Sequence, residues 1–130
     1  MRKKREHRPH RLIPRMKLWL SSSEDEGVFG DGKWRLLEAI KRESSLKAAA
    51  QSLHISYRKA WGDLKKAEEC LGLQFIEKHR GGDHGGETIL TDEGRRWLTA
   101  YSRFRSELHD ALQETFENHI ATLFSGDQDD

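Results

Sequence analysis

The chain has 130 residues, 35% of them charged and 35% hydrophobic, with a formal net charge of +1 and one cysteine. That is enough for one domain with a real core, but a lone Cys70 excludes an intrachain disulfide and no stretch is apolar enough to span a bilayer. The histidines are scattered without ligand spacing, so neither a metal site nor a cofactor is expected.

Charge is unevenly spread along the chain. Residues 1–17 carry eight bases against Glu6, a net +7 that leaves the remainder at −6. Residues 1–11 are basic and polar and read as a flexible arm, able either to follow phosphates or a minor groove or simply to solubilise. Leu12 to Leu20 is interrupted by Pro14, Arg15 and Lys17, so it forms no signal-peptide core, and a cytoplasmic protein is expected. Met16, Leu18 and Leu20 alternate with Arg15 and Lys17, which predicts a half-buried strand from Ile13 to Leu20, with Trp19 breaking its polar face. Val28-Phe29-Gly30 is expected to pair back onto it as a short strand.

Asp31 is the expected cap of a helix from Gly32 to about Arg42, with Leu36, Leu37 and Ile40 inward. Ser44 or Ser45 then caps a short helix whose apolar stripe is Leu46, Ala49, Ala50 and Leu53. Three consecutive alanines, Ala48 to Ala50, let a second helix cross closely. His54-Ile55-Ser56 breaks the pattern, and the Ser56 hydroxyl suits an N-cap. The next helix, residues 56–71, places Ala60, Trp61, Leu64 and Leu71 inward and Tyr57, Arg58, Lys59, Lys65 and Lys66 outward. Cys70 reads as a small, partly buried hydrophobe. Two short, steeply crossed helices with bases outward on the second are what a major-groove reader needs. A helical hairpin with a solvated lysine face is the plainer alternative.

After Gly72 the periodicity changes. Gln74–Arg80 and Glu87–Leu90 are strand-like and flank a glycine-rich tip, Gly81–Gly86, which predicts a hairpin wing over residues 74–90. Lys78, His79 and Arg80 lead into the tip, where Gly81, Gly82 and His84 could bring backbone close to DNA. The tip lacks the ending of a phosphate-binding loop and opens no helix. Thr91 reads as an N-cap, and Asp92 and Glu93 favour the helix dipole. The helix predicted from there to about Phe124 is about 50 Å long. Its apolar stripe is Trp97, Tyr101, Phe104, Leu108, Leu112, Phe116, Ile120 and Leu123. One small domain cannot cover such a stripe, so the same helix of a second subunit is the expected partner, with a fold-back as the alternative. Residues 126–130 form an acidic tail.

SYRKAW (Ser56–Trp61), GGDHGG (Gly81–Gly86) and ILTDEG (Ile89–Gly94) resemble the ModE molybdate-responsive transcription regulators. The order of a strand, GDGKWRLLEAI, SSLKAAAQSL and SYRKAW is also similar to that family over residues 12–124. SLKAAAQSLHIS additionally resembles the LysR-type DNA-binding domain. The resemblance implies a dimeric winged helix-turn-helix that binds an operator, with residues 56–71 as reading helix. The familiar members also carry C-terminal molybdate-binding domains. None follows within these 130 residues, so the expectation is that this chain binds neither molybdate nor tungstate tightly and answers to a separate effector-sensing protein.

The fold class expected is mainly α with a small β component: a winged helix-turn-helix over residues 12–91, then a dimerisation helix over residues 92–125. The function expected is that of a sequence-specific, homodimeric regulator of double-stranded DNA. Tyr57, Arg58 and Lys59 are the candidate base readers. Ser44, Ser45, Lys47, Ser56, Lys65, Lys66, Lys78, His79 and Arg80 are the candidate backbone contacts. A protein–protein adaptor on the same fold is the competing reading, favoured by the acidic remainder. No nucleophile–base pair, paired carboxylates or metal cluster points to an enzyme.

Overall fold

Leu36, Leu37, Ala39 and Ile40 fall on one side of helix α1 (Asp31–Glu43) and are all buried. Against them pack Leu46, Ala49 and Ala50 of α2 (Leu46–Ser52) and Ala60, Leu64 and Ala67 of α3 (Tyr57–Leu71). Alanines at these crossings let the helices approach closely without leaving voids. The computed structural model describes residues 11–24, 27–80 and 86–125. They divide into two units, Lys17–Arg105 and Met1–Met16 with Ser106–Asp130. The first holds the whole core.

Two antiparallel hairpins complete that unit. Strand β1 (Trp19–Leu20) pairs with β2 (Phe29–Gly30) in the register Trp19 to Gly30 and Leu20 to Phe29. Strand β3 (Ile76–His79) pairs with β4 (Glu87–Leu90), Ile76 facing Leu90 and His79 facing Glu87. Helix α4 (Asp92–Phe116) follows directly, and Thr91 caps it by accepting the Gly94 amide at 2.9 Å. The fold is therefore a mainly α winged helix-turn-helix with a small β component and a long C-terminal helix.

Several expectations change. The strand over Ile13–Leu20 shrinks to Trp19–Leu20. The alternation persists, with Met16, Leu18 and Leu20 half-buried and Arg15, Lys17 and Trp19 exposed, but only the last two residues find a ladder partner. Gly30, not Asp31, occupies the α1 N-cap position, and helix α1 begins at Asp31 itself. A Cβ on Gly30 would lie 2.7 Å from Trp19 Cβ and 2.9 Å from the Leu18 carbonyl oxygen, so the tight β1–β2 crossing requires glycine there. Cys70 is exposed rather than partly buried.

Asp31 is released for another task. Its Oδ1 accepts the Tyr101 hydroxyl at 2.8 Å and Arg105 Nε at 3.0 Å, tying the start of α1 to α4. Arg105 also lies over the Trp34 ring at 4.4 Å, and Trp34 Nε1 donates to Ser102 Oγ at 2.9 Å. Burial pulls the Asp31 carboxyl upward, but the bonds from Arg105 and Tyr101 and the Arg105 charge outweigh it and hold the group below its ordinary value. Burial, then the Asp31 bond and charge, push the Tyr101 phenol well up.

Trp97 and Tyr101 were expected on a partner-facing stripe and instead turn inward. Tyr101 is buried, and both rings meet Phe29 edge-on, at centroid distances of 5.2 and 4.9 Å. Both rings belong to the Lys17–Arg105 unit. In the second unit α4 does not run on unbroken: Glu117–Ala121 form a π-helical turn before α5 (Thr122–Ser125). The expected arm, residues 1–11, falls almost wholly outside the described residues, as do the acidic tail and Gly81, Gly82 and His84 of the wing tip.

Two outcomes test this packing. A Cβ on Gly94 would fall on the Phe75 carbonyl oxygen, so Gly94→Ala is expected to cost about 2 kcal/mol or more in urea unfolding. Because the Asp31 carboxyl lies below its ordinary value in the fold, its contribution is complete above about pH 4 and is lost as pH falls through the lowered value. Asp31→Asn should accordingly flatten the acid limb of stability against pH while leaving the variant less stable at neutrality.

Candidate nucleic-acid interface

The helix-turn-helix is assembled from local signals. Ser45 accepts the Ala48 amide at 3.0 Å and starts α2, and Ser56 accepts the Lys59 amide at 3.0 Å and starts α3. Ser44 does not cap α2: it closes α1 in the left-handed region, φ 57°. Between α2 and α3 the chain turns through His54 at φ 60°, and the Ile55 amide returns to the Ala50 carbonyl at 3.0 Å. With Ala60, Leu64 and Ala67 buried, the opposite face of α3 presents Arg58, Lys59 and Lys66 to solvent, and Tyr57 is exposed at the start of the helix.

The charges on that face differ in freedom. Lys59 pairs with Asp63 at 2.9 Å across exposed surface, a contact that costs little to exchange. Lys65 pairs with Glu68 at 3.0 Å. Arg58, Lys66 and Lys47 have no ion pair among the described residues and are exposed. In the wing, Ile76, Thr88 and Leu90 are buried while Lys78, His79 and Arg80 face solvent. Ser45 and Ser56 spend their hydroxyls on caps.

Two residues that the sequence pattern misplaced or passed over organise this surface. Trp61, expected inward, is 36% exposed. Its neighbour Ala60 and the residues Leu64 and Ala67 take the inward stripe, and Trp61 lies about 100° away from Ala60 around the helix. Lys65 and Lys78 place their ammonium nitrogens 4.5 and 4.7 Å from its ring centroid. Lys78 also lies over the Tyr57 ring at 4.8 Å and donates to the Tyr57 hydroxyl. The structure thus gathers Tyr57, Lys65 and Lys78 and leaves Arg58, Lys66 and Lys47 separate. Glu68, not foreseen at all, is buried and accepts the Phe75 amide at 2.7 Å and the Ile76 amide at 3.4 Å. It joins α3 to the first wing strand. A carboxylate four residues after Leu64, inside an apolar stripe, was the available signal.

Residues 32–95, from α1 through the wing to the start of α4, match the model of the bacterial regulatory helix-turn-helix proteins of the LysR family. The chain is 35% identical over 108 residues to the molybdenum transport protein ModE of Azotobacter vinelandii, covering 82% of this chain and 38% of that protein. It is 32% identical over 89 residues to the transcriptional regulator ModE of Haemophilus influenzae, covering 68% of this chain and 32% of that protein. The chain carries a helix-turn-helix domain of the ModE type. It spans about a third of the length of these relatives. Among solved structures, the BenM DNA-binding domain in complex with the benA site 1 DNA superposes on this ModE-type domain with a TM-score of 0.54 at 24% identity, covering 68% of this chain and 94% of that one. That likeness concerns the fold.

Among the described residues, no group of three His, Cys, Asp or Glu side chains could hold a metal ion, and no helix is long and apolar enough to cross a membrane. The Glu68 link is directly testable. Glu68→Ala leaves the buried Phe75 amide unpaired and should cost about 1–3 kcal/mol in urea unfolding. Glu68→Gln, which keeps one carbonyl acceptor, should recover part of that loss.

Proposed function

We propose that this chain is a sequence-specific DNA-binding transcription regulator that works as a homodimer. The observation that carries the reading is the outer face of α3. A capped helix, packed by small residues against α2, offers exposed Arg58, Lys59 and Lys66 beside a basic wing strand. Arg58 stands in the first turn of α3, where an HTH reading helix contacts base edges. The names of the relatives, regulators of the ModE kind, and the DNA in the BenM complex support the same reading. Lys47, Lys66, His79 and Arg80 then serve the phosphate backbone, and binding takes place in the cytoplasm.

Dimerisation is assigned to the C-terminal helix. Phe104, Ile120 and Leu123 are exposed and Leu108, Leu112 and Phe116 only half-covered. Spaced at four residues, Phe104, Leu108, Leu112 and Phe116 run along one side of the helix and suit a self-complementary pairing across a two-fold axis.

Selection of preferred duplexes from a random pool by the full chain, followed by mobility-shift titration, tests the reading. Arg58→Ala and Lys59→Ala are expected to cost about 1–3 kcal/mol each and to relax base preference at one position. Lys66→Ala should weaken all sequences alike and lower the salt slope by about 1. Unchanged affinity and preference in both Arg58→Ala and Lys59→Ala would overturn the base-reading assignment. Light scattering on the full chain checks the dimer. Calorimetric titration with molybdate and tungstate is expected to show no tight stoichiometric binding.

A further inference from the structure

We propose that Trp61 is a positioning residue for DNA binding: its ring holds Lys65 of the reading helix and Lys78 of the wing where one strand of phosphates can meet both. The inference rests on the DNA-binding reading and assigns to that site a residue that touches no phosphate itself.

The core does not account for Trp61. The inward positions around it, Ala60, Leu64 and Ala67, are fully buried, whereas the indole is 36% exposed on the basic face. The ammonium groups of two different elements converge on that indole, at 4.5 Å for Lys65 and 4.7 Å for Lys78. Tyr57, one turn earlier on α3, holds Lys78 from a second side, through its ring at 4.8 Å and through its hydroxyl.

Bringing two ammonium groups to one ring sets like charges against each other, and the surrounding acids compensate only one of them. Glu68 gives Oε1 to Lys65 at 3.0 Å, while its Oε2 is occupied by the Phe75 and Ile76 amides. Glu77 turns to His79 at 3.7 Å, and Asp63 is paired with Lys59. Lys78 has no carboxylate partner among the described residues, so aromatic faces rather than a counterion hold its charge. A lysine is a point charge on a flexible four-carbon stem and normally loses much rotamer freedom on meeting a phosphate. A lysine already resting on a ring has given up most of that freedom before DNA arrives, which leaves a net cation both ordered and uncompensated.

The test uses the full chain, a short mixed-sequence duplex and a series of salt concentrations. Trp61→Leu is expected to weaken binding about tenfold with the slope of log affinity against log salt unchanged, since both cations remain but are no longer placed. Trp61→Phe should restore most of the affinity. Lys65→Gln and Lys78→Gln should each reduce the slope by about one. In the DNA-free protein, the ε-methylene protons of Lys65 and Lys78 should show ring-current shifts by NMR that Trp61→Leu abolishes for Lys65 and reduces for Lys78, with circular dichroism reporting the fold. Full affinity in a folded Trp61→Leu, or unshifted lysine methylenes in the unaltered chain, overturns the proposal while leaving the DNA reading intact. Failure of the unaltered chain to bind any duplex overturns both.

Discussion

The peptide unit of Phe75 is where the helix-turn-helix, the wing and the long helix are made into one body. Its amide is taken by the Glu68 carboxylate of α3, its carbonyl accepts the Thr91 amide at 2.9 Å, and Gly94 is pressed against that carbonyl so closely that no Cβ fits. The ring beneath is fully buried and meets Phe29 at 5.7 Å and Trp97 at 5.9 Å. A peptide withdrawn from water must be paired on both sides, so each partner is constrained in turn. Helix α3 cannot tilt without dragging the wing strand, and the wing cannot shift without meeting the first turn of α4.

The Asp31 cluster performs the corresponding duty at the other end of the core. Asp31, Tyr101, Arg105 and Trp34 join the start of α1 to α4 through hydrogen bonds and an arginine stacked on an indole. Because the ion pair is largely sheltered, it holds direction as well as charge. Thr88 completes the bracing by donating its amide to the Ser44 carbonyl at 3.1 Å, fastening the second wing strand to the α1–α2 corner. The left-handed backbone at Ser44 aims that carbonyl.

What could be read from the sequence was local. Ser45, Ser56 and Thr91 were recognisable as caps because a cap needs only a hydroxyl three residues before an orphan amide. The helix stripes were recognisable because burial follows a period of 3.6 residues, and the glycine-flanked wing because the period changes there. What could not be read depends on residues far apart in the chain. Asp31 looked like a cap because nothing nearby announces Tyr101 and Arg105, 70 and 74 residues away. Trp61 looked like core because it is large and apolar, and its neighbours' smallness, which frees the inward stripe, is a property of the packed pair of helices. Trp97 and Tyr101 lie on the same stripe as Phe104, and only the position of Phe29 decides that the first two face home. The role of Glu68 depends on the course of residues 75 and 76, whose amides it accepts.

The π-helical turn at Glu117–Ala121 has a consequence for periodicity. Each residue of a wider turn advances less than 100° around the axis, so five of them set the phase back by roughly a quarter of a revolution. Leu108, Leu112 and Phe116, four residues apart, drift by about 40° per step around an α-helix, and the set-back returns Ile120 and Leu123 toward the side of Leu108 and Leu112. Leu123 and Phe124, 70% and 54% exposed, extend that same edge beyond the turn. The wider turn therefore acts as a phase correction: it keeps an apolar edge in line past the point where a plain α-helix with residues spaced in fours would wind it away.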